Sequence, residues 1–309
     1  MRALFFGTPA IAVPSLEALA SIAEVALVVC QPDRPSGRGL ELKHPPVKER
    51  ALALGLPVVQ PLKVRTPEFA QQIRDANADF ALVIAYGRIL PRAVLEAPRR
   101  GCLNLHASIL PRYRGAAPIT WAIVRGEAET GIALMQMDEG MDTGPVYTTH
   151  RLPIGAETTA DELGVSLGQL AAEVVKSDVL RVVRGEIEAR PQDHEAATLA
   201  PILEKENGRV PWASAAHVVH DHVRGMTSWP GAFTTAQGKT FKVLESRVGK
   251  PSGSFGEPGS VVAASKQGIE IACAEGTLLL LRGQLEGRKA LGAAELVAGR
   301  ALTVGQKLG

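Results

Sequence analysis

Short apolar runs alternate with helix-like segments over the first half of the chain. Arg2 to Phe6 is apolar and stops at Gly7-Thr8-Pro9, and a helical pattern follows from Pro14 to Ser21. Val25 to Cys30, Phe80 to Ala85, Cys102 to His106 and Ile132 to Met137 are further strand candidates. Pro46 to Leu54 predicts a helix entered through a proline and stopped by Gly55. Strands alternating with helices predict parallel βαβ units, and so an α/β fold with a doubly wound, mostly parallel sheet. Ligands of such sheets sit beyond the carboxyl ends of the strands, which makes the residues just after strand ends the first candidates for chemistry.

A long helical pattern from Thr159 to Val183 closes this half. Gly185 to Asn207 is polar, carries Pro191 and Pro201, has no periodicity, and predicts a connector. Ser214 to Arg224 predicts one more helix. Four β-rich runs follow, Phe241 to Leu244, Ser260 to Ala264, Gly268 to Cys273 and Thr277 to Leu281, broken by Gly and Pro. They predict a small β-barrel of the oligonucleotide-binding type. The expected division is a catalytic domain over 1–188, a linker over 189–206 and a C-terminal barrel over 207–309.

Composition narrows the class. With 46% hydrophobic and 21% charged residues among 309, global disorder is excluded. The longest apolar runs fall well short of the ~18 residues of a membrane span, so no membrane partner is expected. The start, MRALFFGTP, lacks the features of a secretion signal. Cys30, Cys102 and Cys273 are odd in number and far apart, which argues against a disulfide framework or a metal cluster and for a reducing cytoplasm. The net charge of +2 hides a division: 13 basic against 9 acidic residues from Pro201 onward, and 21 against 23 before it. A basic second half suits a polyanionic partner, although ordinary surface charge explains the same count.

Three stretches can carry chemistry. Gly7-Thr8-Pro9 is a tight strand-to-helix turn rather than a dinucleotide fingerprint, because Pro9 removes an N–H that a pyrophosphate would use. On a strand from Cys102 to His106, alternation puts Cys102, Asn104 and His106 on one face. An Asn amide there can donate to a developing oxyanion and an imidazole can move a proton. The plainer alternative is a pair of satisfied buried polar groups. Asp142 lies in Asp138-Glu-Gly-Met-Asp-Thr-Gly144, beyond the next strand, where Gly140 and Gly144 allow a tight path that aims a carboxylate inward. Turn and capping roles for Asp138, Glu139 and Asp142 are the competing account. No nucleophile is paired with the set, which favours direct transfer through a tetrahedral carbon over covalent catalysis.

Asn104-x-His106, the following Ser108-Ile-Leu-Pro-Arg-x-Arg-Gly-Ala-Ala-Pro118, and Met135-Gln-Met-Asp-x-Gly-Met-Asp-Thr-Gly144 resemble the signature of the 10-formyltetrahydrofolate-dependent formyltransferases. The likeness runs from Phe6-Gly7-Thr8-Pro9 through Gln31-Pro-Asp-Arg-Pro-Ser-Gly-Arg-Gly39, Pro46-Val-Lys48 and Ala85-Tyr-Gly-x-Ile-Leu-Pro91. It continues to Trp212, Trp229-Pro230 and Gly287-Arg-Lys-Ala290, and is fullest with the branch that formylates initiator methionyl-tRNA. The resemblance implies a Rossmann-like first domain and Asn104, His106 and Asp142 as the catalytic trio. It implies that Ser108, Ile109, Leu110 and Pro111 form the loop for the donor, 10-formyltetrahydrofolate, with no metal. Asn104 and His106 would stabilise the oxyanion, and Asp142 would hold His106 and manage the proton lost by the amine.

The stretch Asp33 to Arg50 holds Arg34, Arg38, Lys43, Lys48 and Arg50 against Asp33, Glu41 and Glu49, with Gly37 and Gly39 loosening it. A basic loop at the active end of a sheet can reach a tRNA acceptor end, and Arg38 matches the key arginine of the resemblance. From charge alone, a solvated surface loop is an equal reading. In the second half, Lys242 and Arg247 are the candidates for tRNA phosphates. The rivals are a formyltransferase for an amino-sugar nucleotide or a formyltetrahydrofolate hydrolase on the same scaffold, and a nucleic-acid-binding protein without catalysis. A monomer is expected.

Overall fold

The computed structural model describes residues 1–36 and 41–309. The chain forms two compact units: one of residues 1–118, 129–153 and 164–201, the other of 119–128, 154–163 and 202–309.

The first unit is built on a seven-stranded sheet. In chain order its main elements are β1 (Arg2–Gly7), α1 (Val13–Ile22), β2 (Glu24–Val29), α2 (Pro46–Ala53), β3 (Val58–Val59), α3 (Pro67–Asp75), β4 (Phe80–Ile84), β5 (Cys102–His106), β6 (Glu129–Gln136) and β7 (Val146–Pro153). The strand order is β7-β6-β5-β4-β1-β2-β3. Pairs from β5 through β3 are parallel, whereas β6 runs antiparallel to both its neighbours, β5 and β7. Leu4, Phe5, Phe6, Phe80 and Leu82 are fully buried, as expected for central strands covered on both faces. Each such side chain contributes about 1.5–3 kcal/mol of burial. The edge strand β7 carries Thr148, His150 and Arg151 with intermediate or open positions, which discourages further pairing.

Local signals explain the helices. Thr66 caps α3 by accepting from the Phe69 N–H at 3.2 Å. Gly55, at φ +69°, ends α2 in the left-handed region. The long helical pattern resolves into α4 (Ala160–Val174), a π-turn over Val175–Val179 and a final turn over Leu180–Val183. The wide turn holds buried Asp178, whose carboxylate lies 2.7 Å from His150 Nε2 on β7.

The expected connector behaves differently from its sequence pattern. Up to Pro201 it is part of the first unit. Leu199–Ala200 pair in parallel with Arg114–Gly115, and Arg190 exchanges two backbone hydrogen bonds with Val146. The cause is a partner about 85 residues away in sequence, which no local periodicity reveals.

The second unit holds α5 (Ala216–Gly225) and a curled antiparallel sheet of β8 (Phe233–Ala236), β9 (Lys239–Val248), β10 (Val261–Ala264), β11 (Ile269–Ala272) and β12 (Thr277–Leu285). Their order is β8-β9-β12-β11-β10. The C-terminal residues bridge its two ends: the Gly305 N–H donates to the Val261 carbonyl and the Gly309 N–H to that of Thr235. Phe241, Ile269, Leu278 and Leu280 fill the interior with Val219 and Val223 of α5. Trp212 is anchored there by its indole N–H, 3.0 Å from the Thr234 hydroxyl.

Candidate active site

In the first unit the strand order reverses between β1 and β4; Asn104 and His106 lie on β5, His106 at its carboxyl end, and Asp142 comes from the loop after antiparallel β6. Asn104 and His106 occupy alternate positions of β5, opposite Met135 and Ala133 of β6, and so share one face. Both are buried, at 8% and 6% exposure. His106 is held by a hydrogen bond at one nitrogen and faces a carboxylate with the other. Its Nε2–H donates to the Tyr113 carbonyl at 2.9 Å, and Nδ1 lies 3.6 Å from Asp142 Oδ2. The Asn104 side chain has no hydrogen-bond partner among the described residues. A buried amide left open beside an imidazole–carboxylate pair is a donor awaiting an acceptor.

Asp142 reaches His106 because of its loop. Asp138 folds that loop by accepting from the Gly140 N–H and the Thr143 hydroxyl. Gly144 is required by close approach: a Cβ there would lie 2.0 Å from the Gln136 carbonyl oxygen. Asp142 itself has φ +54°, a conformation that a short acidic side chain tolerates. Its Oδ2 accepts from the Gly115 N–H at 2.9 Å, which turns the carboxylate toward His106. The turn-forming account thus describes Asp138, whereas Asp142 faces the imidazole.

The residues expected to form the donor loop are less available than their sequence suggests. Ser108 is fully buried and its hydroxyl donates to the Arg112 carbonyl at 2.6 Å. Leu110 packs on Ala133, Met135 and Val146. Leu110 and Pro111 line a cavity of about 790 Å³ with Tyr147, Thr149 and Arg190, which none of the three catalytic candidates lines. Ile109 stays half-buried.

A second cavity, about 420 Å³, opens at the switch point between β1 and β4 and is lined by Thr8, Gln31, Arg34, Lys43, His44 and Tyr86. Its floor is organised by Gln31, whose amide donates to the Tyr86 carbonyl at 3.1 Å while its oxygen accepts from Arg88 at 2.9 Å. Two of the expected tRNA residues, Arg34 and Lys43, therefore sit at this cavity. Lys48 does not: its ammonium is 2.6 Å from Asp33, which also receives hydrogen bonds from Gln60 and His44. Lys48 first, then Gln60, holds the Asp33 carboxyl down to about 2, so Lys48 is spent on an internal pair. Arg38 lies outside the described residues. In the second unit Lys242 and Arg247 are exposed on β9, and Arg247 lies 3.8 Å from Glu157.

Residues that the sequence did not single out complete the site. Arg114 and Gln192 are both buried and bonded to each other beside the Asp142 loop. Among the described residues no cluster of His, Cys, Asp or Glu has the makings of a metal site, and no helix is long and apolar enough to cross a membrane.

The chain matches the family model described as formyl transferase over residues 1–179 and that described as formyl transferase, C-terminal domain, over residues 202–301. It is 68% identical to the methionyl-tRNA formyltransferase of Sorangium cellulosum, over the full length of both chains. It is 46% identical to that of Myxococcus xanthus, over 99% of this chain and 97% of the relative. Among solved structures, the N-formyltransferase from Helicobacter canadensis shares the fold with a TM-score of 0.68 at 18% identity, covering 90% of this chain and 98% of that one.

Proposed function

The chain belongs to the methionyl-tRNA formyltransferase family, and on that premise we propose that Asn104, His106 and Asp142 carry the transfer of a formyl group from a formyl-folate to the amino group of methionyl-tRNA. The finer reading is that 10-formyltetrahydrofolate is the donor, that the initiator tRNA is the acceptor, and that the protein works in the cytoplasm. The observation that carries it is the unengaged Asn104 amide beside the His106–Asp142 pair.

The chemistry follows from where charge develops. When the amine attacks the formyl carbon, a C–N bond forms and the carbonyl oxygen becomes an oxyanion. The Asn104 amide supplies the hydrogen bond that this oxygen gains, an interaction stronger in the transition state than before it. With Nε2–H committed to Tyr113, His106 takes a proton at Nδ1, against the Asp142 carboxylate. His106 then assists the oxyanion through its charge rather than through a direct hydrogen bond. The proton leaving the amine passes through this pair to the departing folate nitrogen as the tetrahedral carbon collapses.

Because the Ser108 hydroxyl is committed, the loop Ser108–Pro111 meets the donor through Ile109 and its backbone. Arg34, Lys43 and Arg38 serve the acceptor end of the tRNA, and Lys242 and Arg247 its phosphates.

The test is a transfer assay with formyl-labelled 10-formyltetrahydrofolate and two acceptors, charged initiator tRNA and an amino-sugar nucleotide. Label is expected on the tRNA alone. Label on the sugar, or release of formate with neither acceptor modified, would replace this reading with one of the two rival activities.

A further inference from the structure

Asp142 is held in a left-handed backbone conformation, and something must keep it there. The residue in contact with its backbone is Gln192, from the segment whose sequence looked like a connector. The Gln192 side-chain amide donates to the Asp142 carbonyl at 2.9 Å and to the Gly144 carbonyl at 2.6 Å, gripping the loop on both sides of Thr143. Its oxygen accepts from Arg114 twice, at 2.6 Å from Nη2 and 3.1 Å from Nε. The guanidinium can only donate and the two carbonyls can only accept, so the amide has one workable orientation.

Arg114 is fixed in turn. Its Nη2 also donates to His194 Nδ1 at 3.0 Å, and its backbone N–H donates to the Thr198 carbonyl. The neighbouring N–H groups of Tyr113 and Gly115 donate to the Thr198 hydroxyl and to the Asp142 carboxylate. Tyr113 is the residue whose carbonyl orients His106. Residues 190–200 therefore form a strap that touches both halves of the His106–Asp142 pair: the backbone that holds the imidazole and the loop that carries the carboxylate.

We propose that Gln192 is a positioning residue for the transfer, which through Arg114 sets the approach of the Asp142 carboxylate to His106. The inference rests on the catalytic reading of Asp142. A hydrogen-bonded amide at 9% exposure also serves stability, but a general structural role does not require both of its N–H groups to converge on one catalytic loop. A carboxylate displaced by about 1 Å is worth roughly 100-fold in rate, which sets the scale of the expected effect.

The experiment compares Gln192→Glu, Gln192→Leu and Asp142→Asn, alone and combined, in the full-length protein. Gln192→Glu keeps the acceptor for Arg114 and removes both donations to the loop, so it serves even where the leucine variant fails to fold. With the melting transition retained, kcat is expected to fall about 10- to 100-fold, with KM for donor and tRNA within about twofold. In the Asp142→Asn background the same substitution is expected to cost little more, because the group it positions is gone. Full kcat in Gln192→Glu, or an undiminished further loss in the double variant, overturns the positioning role and leaves the catalytic reading intact. Unchanged turnover in Asp142→Asn alone instead removes the catalytic reading beneath it.

Discussion

The loops after β4, β5 and β6 of the first sheet and the turns of the curled sheet put backbone strain to different uses. Each loop that follows β4, β5 and β6 contains a non-glycine residue at positive φ: Ala85 at 48°, Tyr113 at 61° and Asp142 at 54°, the last entering from the opposite edge because β6 is antiparallel. Such conformations cost about 1–3 kcal/mol each and persist only where their surroundings over-determine them. Here two of the three, Tyr113 and Asp142, present the groups that hold His106. The second unit has the same backbone conformation at Gln237 and Arg300, with a different meaning. Gln237 and Gly238 are the two residues of the hairpin turn between β8 and β9, where positive φ is the usual requirement. Arg300 lies just past a helix end.

Buried polarity divides less sharply, since His222 Nε2, Thr227 Oγ1 and Gln306 Nε2 of the second unit are buried without a hydrogen-bond partner among the described residues. In the second unit Trp212 is paired with Thr234, and His220 with Ser246. Arg224 is paired with Asp221 and the carbonyls of Gly155 and Thr158. What sets the Asn104 amide apart is its place: it is open on β5, on the strand face it shares with His106, which faces Asp142. Satisfied polar groups hold a fold in one conformation, whereas an open one is available to a substrate.

The largest expected effect tests the open group. Asn104→Ala removes the proposed oxyanion donor, and kcat should fall about 10²–10³-fold, with a melting temperature close to that of the parent. Single-turnover formylation with saturating donor reads this directly. A drop in stability without a drop in kcat would place Asn104 with the satisfied core groups and erase the contrast.

How far the sequence reveals each region follows from the range of the interactions. The apolar runs of β1 and β4 stand out because burial on both faces leaves a nearly uninterrupted hydrophobic signal, and Cys102 to His106, alternating apolar and polar, matches β5 residue for residue. The Asn104–His106 face follows from alternation alone. Residues 190–200 were illegible because a two-residue strand has no period and its partner, Arg114–Gly115, is distant in sequence. Gln192 was invisible for the same reason: its importance lies in four heavy-atom contacts to Arg114, Asp142 and Gly144, none of them local. Charge counting also misjudged Lys48, since it weighs the basic residues of a loop equally while Asp33, with Gln60 beside it, claims this one. Strand β8 escaped notice because Phe-Thr-Thr-Ala is too short and too polar to stand out.

A smaller effect is expected from a satisfied pair in the second unit. Trp212→Phe keeps most of the apolar volume but leaves the Thr234 hydroxyl, at 1% exposure, without its donor. The cost should be about 1–3 kcal/mol of stability, read by chemical denaturation, with kcat unchanged below the transition. A fall in kcat with stability preserved would show that the curled sheet carries part of the chemistry.

The smallest effect separates two exposed cations on the same strand. Lys242 lies opposite Gln284 on β12, with no ion-pair partner among the described residues. Arg247 is partly neutralised by Glu157, 3.8 Å away. An unpaired cation that meets a phosphate releases counterions when it binds, whereas a paired one must first give up its carboxylate. For tRNA binding, Lys242→Ala should therefore reduce the slope of log K against log salt by about 0.7–0.9, the contribution of one phosphate contact. Arg247→Ala should change it less, and Glu157→Gln should steepen it by freeing the arginine. Affinities measured at three or more salt concentrations give all three slopes. Equal slopes for the parent and Lys242→Ala would remove this strand from the phosphate contacts. Equal changes for Lys242→Ala and Arg247→Ala would show that Glu157 does not restrain Arg247.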